Sequence, residues 1–89
     1  MKIPKKIKLE SLIELSWLDA ATPPDNWNTI EEILSFGLEQ HLCETTGYLR
    51  NINKDYLTIS HTLHRKSEQG MGVFKIPIGC IKKIEVIKE

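Results

Sequence analysis

From Tyr56 to Leu63 the chain alternates without a break, with Leu57, Ile59, His61 and Leu63 on one face and Tyr56, Thr58, Ser60 and Thr62 on the other. A period of two belongs to extended backbone, whose successive side chains point to opposite sides, and β-branched and aromatic residues favour it. The same period marks Leu12 to Leu18, where Ile13, Leu15 and Trp17 oppose Glu14 and Ser16, and Val73 to Ile78, where Phe74, Ile76 and Ile78 alternate. Leu42 to Ile52 reads as a further strand that ends in turn residues, Asn51 to Asp55. Ile84, Val86 and their neighbours form the last strand, after a corner at Gly79-Cys80. Pro77 has no amide to donate, so its strand lies at an edge or ends there. His64 to Gly72 reads as a polar loop and the most mobile piece.

One segment breaks the β pattern. Pro23 and Pro24 stop any strand within Asp19 to Asn28, and Thr29-Ile30-Glu31-Glu32 is a capping box. Ile30, Ile33 and Leu34 then share a helical face, and Gly37 can close the helix in a left-handed cap. Two turns of helix are too short to stand alone, which predicts packing on the sheet. The expected fold is mainly β with one short helix inserted after the first strand. It is a small, bent five-stranded barrel in which the first and last strands pair and protect the edges.

A length of 89 residues allows one domain: a basic, flexible N-terminus over residues 1–6 and the barrel over 7–89. No long apolar run follows the N-terminal lysines, so neither a secretion signal nor a membrane span is expected. Cys43 and Cys80 are too few for a disulfide framework and read as reduced thiols of a cytoplasmic protein, Cys80 in the core. Net charge is zero but segregated. Glu10 to Glu44 holds eight acids and no Lys or Arg, whereas Arg50 onward holds eight bases and four acids. A chain without a basic surplus lacks the usual means of holding phosphate backbones, which argues against nucleic acid. Segregation of this kind permits head-to-tail contact between copies, or a basic face made by the C-terminal half alone.

The groups available for chemistry are sparse. His41, Cys43, His61, His64 and Cys80 lack the tight pairs of a structural zinc site, so no metal or other cofactor is expected. No nucleophile elbow, phosphate loop or paired carboxylates on an apolar helix face is present, and nothing orients His41 towards Cys43; the reading is not an enzyme. The strongest contact candidates are Trp17, Asp19 and Trp27, which flank the stiff acidic connection. Tryptophan combines a large apolar area with one N–H donor, the combination enriched at binding hot spots. Trp17 also fits the core face of its strand, Asp19 also fits a turn cap, and Trp27 also fits a lid over the barrel end.

Two resemblances follow from the order of motifs. Gly47, Leu49, Asp55, Leu57 and Ile59, followed by Ile76, Gly79, Ile81 and Ile84, resemble the two-part pattern of Sm-like barrels. RNA-binding members place Asn shortly after the Asp and Arg or Lys beside the Gly. Here Leu57-Thr58 and Ile78-Gly79-Cys80 stand instead, so no RNA-binding residue carries over. From Leu12 to Ile87, the order Trp17-x-Asp19, Trp27, Gly47-Tyr48-Leu49, Asp55-Tyr56, Ile76-Pro77 and Ile81-Lys82-Lys83-Ile84 is similar to small proteins encoded by bacteriophages and prophages. That resemblance implies a phage-type accessory protein with an Sm-like, or Src-homology-3-like, barrel, working in the host cell cytoplasm. The expected function is non-catalytic and anti-defence in type: a homo-oligomer that interferes with a host factor by holding a protein or an anionic small molecule such as a nucleotide signal. In a ring, Arg50, Lys54, Lys82 and Lys83 are the candidate anion contacts. The alternatives are an RNA-binding ring and a minor structural component of the virion.

Overall fold

The computed structural model describes residues 7–23 and 26–89. The basic N-terminal segment 1–6, and Pro24 and Asp25 of the proline-containing connection, lie outside the described residues. The elements run β1 (Leu12–Leu18), α1 (Ile30–Gly37), β2 (Leu42–Ile52), β3 (Tyr56–His64), β4 (Gln69–Pro77), a single 3-10 turn (Ile78–Cys80) and β5 (Ile81–Lys88). The strands form one antiparallel sheet in the order β4-β3-β2-β1-β5. First and last strands pair as expected. The sheet nevertheless stays open, because β4 and β5 end the row without bonding to each other. Pro77 closes an edge strand, where a missing amide costs no ladder bond.

Register places the apolar set on one face. Leu57 stands opposite Ile76, Ile59 opposite both Leu49 and Phe74, and Ile84 opposite Leu15. The enclosed core is Ile13, Leu15, Leu49, Leu57, Ile59, Ile76 and Ile81. Ile13 faces Gly47, whose added Cβ would lie 2.9 Å from Ile59 Cδ1 and 3.0 Å from the Ser60 carbonyl. Only glycine lets the strands approach that closely.

Three ladder irregularities leave Arg50, Lys82 and Ile87 without a direct partner. Such bulges increase local twist and bend a sheet around its own inner face. They give a small chain a core without requiring the sheet to close.

Three expectations are corrected. The helix does not pack on the sheet: none of its residues is buried, and Ile30, Ile33 and Leu34 are exposed. Its capping box is present in both directions, Glu32 N–H to Thr29 Oγ1 and Thr29 N–H to Glu32 Oε1, each at 3.1 Å. The C-terminus does not use a left-handed Gly37. The Leu38 amide donates to the Ser35 carbonyl at 3.1 Å instead, a tightened last turn that needs no positive φ. The stretch His64 to Gly72 is not a long loop either. Thr62, Leu63 and His64 pair with Met71, Gly70 and Gln69, leaving a turn of residues 65–68. His64 Nδ1 accepts the Ser67 amide at 3.2 Å, and Glu68 takes the left-handed conformation that reverses the chain.

Candidate functional site

The inner face is enclosed around Ile13 and Leu49 but opens towards the C-terminal end of β1. Trp17 stands there, half-buried, opposite Cys43 of β2 and Ile81 of β5. Its indole Nε1 donates to Thr45 Oγ1 at 3.0 Å, which fixes the ring plane. Phe74 of β4 reaches it from the far side of the bend, with ring centroids 5.4 Å apart and planes at 52°. That is the tilted geometry aromatic pairs prefer. Strands at nearly opposite ends of the row thus meet through side chains where no backbone bonds join them.

His61 of β3 completes this aromatic shelf. Its Nδ1 lies 3.1 Å from the Thr46 carbonyl, which can only accept, so the neutral ring carries its proton on Nδ1 and Nε2 keeps a free lone pair. The ring lies over Gly72, where an added Cβ would come within 3.0 Å of His61 Cδ2. Gly72 also has φ of +70°, so it is held both by conformation and by the ring above it. An open groove of about 470 Å³ runs between Glu44, Thr45, Thr46, His61 and Phe74. Its lining residues are mostly polar, with Phe74 as the apolar wall, and it is open to solvent.

The residues singled out from the sequence do not converge. Trp17 belongs to the shelf. Lys82 is the extra residue opposite the Ser16–Trp17 step, which places it on the strand beside that end of β1. Lys83 is engaged: its Nζ lies 3.0 Å from Glu85 Oε1, and that hydrogen bond and charge hold its pKa above the usual lysine value. Arg50 is a strut, donating from Nη2 to the Glu68 carbonyl at 3.1 Å and from Nη1 to Ser60 Oγ at 3.4 Å. It occupies the space a side chain at Gly70 would fill. Lys54 sits in the β2–β3 turn, at the opposite end of β2 from Cys43 and Thr45. Asp19 serves the local chain. Its amide donates to the His41 carbonyl at 2.9 Å, and its carboxylate accepts the Ala20 amide at 2.8 Å.

Trp27 is fully exposed, not a lid. It precedes a helix whose apolar residues are also open, Ile30 at 71% and Leu34 at 66%, with Leu38 beyond at 85%. Of the helix, Phe36 alone is half-buried, its ring 5.5 Å from that of His41. Among the described residues no three His, Cys, Asp or Glu side chains gather as metal ligands do. No helix among them is long and apolar enough to cross a membrane. Comparison with protein-family models, characterised proteins and solved structures finds no match.

Thr45 and Phe74 were not singled out from the sequence. Phe74 belonged to an alternating apolar set and Thr45 to a polar stretch of strand; the signal that joins them to Trp17 is register, set by pairings far apart in the chain.

Proposed function

We propose that this chain is a non-catalytic binding protein of the phage accessory kind, built on a bent Sm-like, or Src-homology-3-like, sheet. In this reading it interferes with a host factor by sequestering a small planar ligand on the shelf, a nucleotide signal being the class that suits it. One observation carries the reading: Trp17 and Phe74 are held as a tilted aromatic pair beside an open groove, with Nε2 of His61 left as an acceptor. Stacking on an aromatic side chain is worth about 1–3 kcal/mol per base. Glu44 in the groove suits the amino groups of a base rather than a phosphate. Lys82, not the engaged Lys83, is the cation nearest in register for the phosphate end. The pairing of first and last strands and the one-turn corner before β5 support the Sm-like assignment.

The test uses Trp27→Phe protein, so that Trp17 is the sole tryptophan and can be excited apart from Tyr48 and Tyr56. Titration with nucleoside mono- and diphosphates and cyclic dinucleotides should quench Trp17 saturably at one ligand per chain. Phe74→Ala should abolish the quenching, and Lys82→Glu should weaken it. A panel in which nothing binds at millimolar concentration overturns the small-ligand reading.

A further inference from the structure

The fold leaves the apolar stripe of α1 uncovered. Ile30, Ile33 and Leu34 are joined there by Leu38, which keeps right-handed backbone just past the helix and is itself exposed. Together the four present roughly 500 Å² per copy, so two such faces closed on each other bury about 1,000 Å², the area at which specific interfaces begin. The acids of the helix lie elsewhere. Glu31, Glu32 and Glu39 line a separate groove with Ser35 and Phe36, on the side of α1 turned away from the stripe. Gly37 falls in the middle of the stripe, two turns after Ile30 and one after Ile33. It serves no left-handed cap, and among the described residues a Cβ added to it would meet nothing within 4 Å. Glycine in right-handed backbone weakens a helix, and no contact within the chain requires one here. Beside the ridge Ile30–Leu34–Leu38 it leaves a trough open to an outside partner.

We infer that a second copy of this chain covers the stripe, the two α1 helices packing face to face about a twofold axis. Ridges formed by residues four apart pack into the grooves between such ridges on a facing helix. With the helices antiparallel, Ile30 of one copy enters the trough at Gly37 of the other, and symmetry repeats the contact. One patch thus serves both copies, so the assembly closes at two. No like charges are brought together, because the acids point away from the seam. The same acids exclude a membrane surface as the better occupant: interfacial helices carry Lys and Arg on their polar side, and the chain has neither between Glu10 and Glu44. An eight-residue helix is marginal by itself, so pairing and helix content rise together. The contact is small, so dilute protein is single chains, and it is independent of what the aromatic shelf binds.

The experiment follows mass by light scattering, and helix content by circular dichroism, up to millimolar protein. The natural chain should rise from 10.3 kDa to twice that mass and no further, with the helical signal rising alongside. Leu34→Glu should stay at 10.3 kDa at every concentration. Leu34 is exposed, so that variant should keep the near-ultraviolet signal of the folded Trp17–Phe74 pair, which is measured first. Gly37→Leu is the sharper variant. It adds apolar surface, which would strengthen indiscriminate sticking, but it fills the trough and should abolish pairing. Glu39→Lys, on the far side of the helix, should pair as the natural chain does. A natural chain that stays monomeric overturns the inference, as does a mass that climbs past two copies. So does Gly37→Leu protein that pairs as well as the natural chain. A monomeric chain that sediments with phosphatidylserine vesicles, and ceases to on Leu34→Glu, makes lipid the occupant instead. Should Leu34→Glu lose the folded signal, Gly37→Leu decides alone.

Discussion

The two tryptophans differ in what surrounds them, and their substitutions should separate cleanly. Trp17 is half-buried, hydrogen-bonded and paired at a tilt with Phe74, so Trp17→Ala should cost about 2–3 kcal/mol, less than truncation of a fully enclosed tryptophan. Trp27 touches nothing that folding needs, and Trp27→Ala should stay within about 0.5 kcal/mol of the parent. Urea denaturation of both variants checks this; a large loss at Trp27 would place it in the core. Gly47→Ala adds a methyl 2.9 Å from Ile59 Cδ1 and against the Ser60 carbonyl, where the backbone cannot yield cheaply. We expect about 1–3 kcal/mol of destabilisation, read from the same curves. Combining Gly47→Ala with Ile59→Val should recover part of that loss, because the shorter side chain no longer carries the clashing carbon.

At the scale of elements, α1 and the sheet answer to different forces. Thr29→Ala removes the hydroxyl that accepts the Glu32 amide, a change worth about 1 kcal/mol to a helix. Because α1 buries nothing, that loss should appear as fewer helical residues by circular dichroism with the melting temperature of the sheet unchanged. A fall in melting temperature would mean the helix supports the core. The strands were the legible part: period two located β1 and β3, and Pro77, read as marking an edge or a strand end, stands at the end of the edge strand β4. What escaped has a physical reason in each case. An apolar stripe at helical spacing says that a helix has a face, not what that face meets. Gly70 and Gly72 have no side chains to alternate, so the first half of β4 is visible only through its pairing with β3. Whether five strands close depends on accumulated bend, and the bulges at Arg50 and Lys82 leave no mark in composition. The shelf was legible only at Trp17, since His61 and Phe74 join it through register and bend together.

The whole molecule has a radius of gyration of 16.3 Å, against about 12 Å for a compact chain of this length. The long axis of 55 Å, against 26 and 21 Å for the other two, shows that the excess is elongation. In dilute protein, amide exchange ought to show the contrast between core and helix: slow in the central strands β1, β2 and β3, fast throughout α1, which buries nothing. Slow exchange throughout α1 would mean that the helix packs on the sheet after all. The two ends of the β1–β2 connection lie side by side. Leu18 pairs with Leu42, and the Asp19 amide bonds the His41 carbonyl, so the chain leaves the sheet and returns at one doorway. Closing roughly twenty residues rather than four costs the fold only about 1.5 kcal/mol of chain entropy. Residues 20–40 therefore behave as a cassette: replaced by a tight hairpin turn, the remaining strands should still fold with their shelf intact. Such a cassette can change in length and sequence at little cost to the strands that hold its two ends.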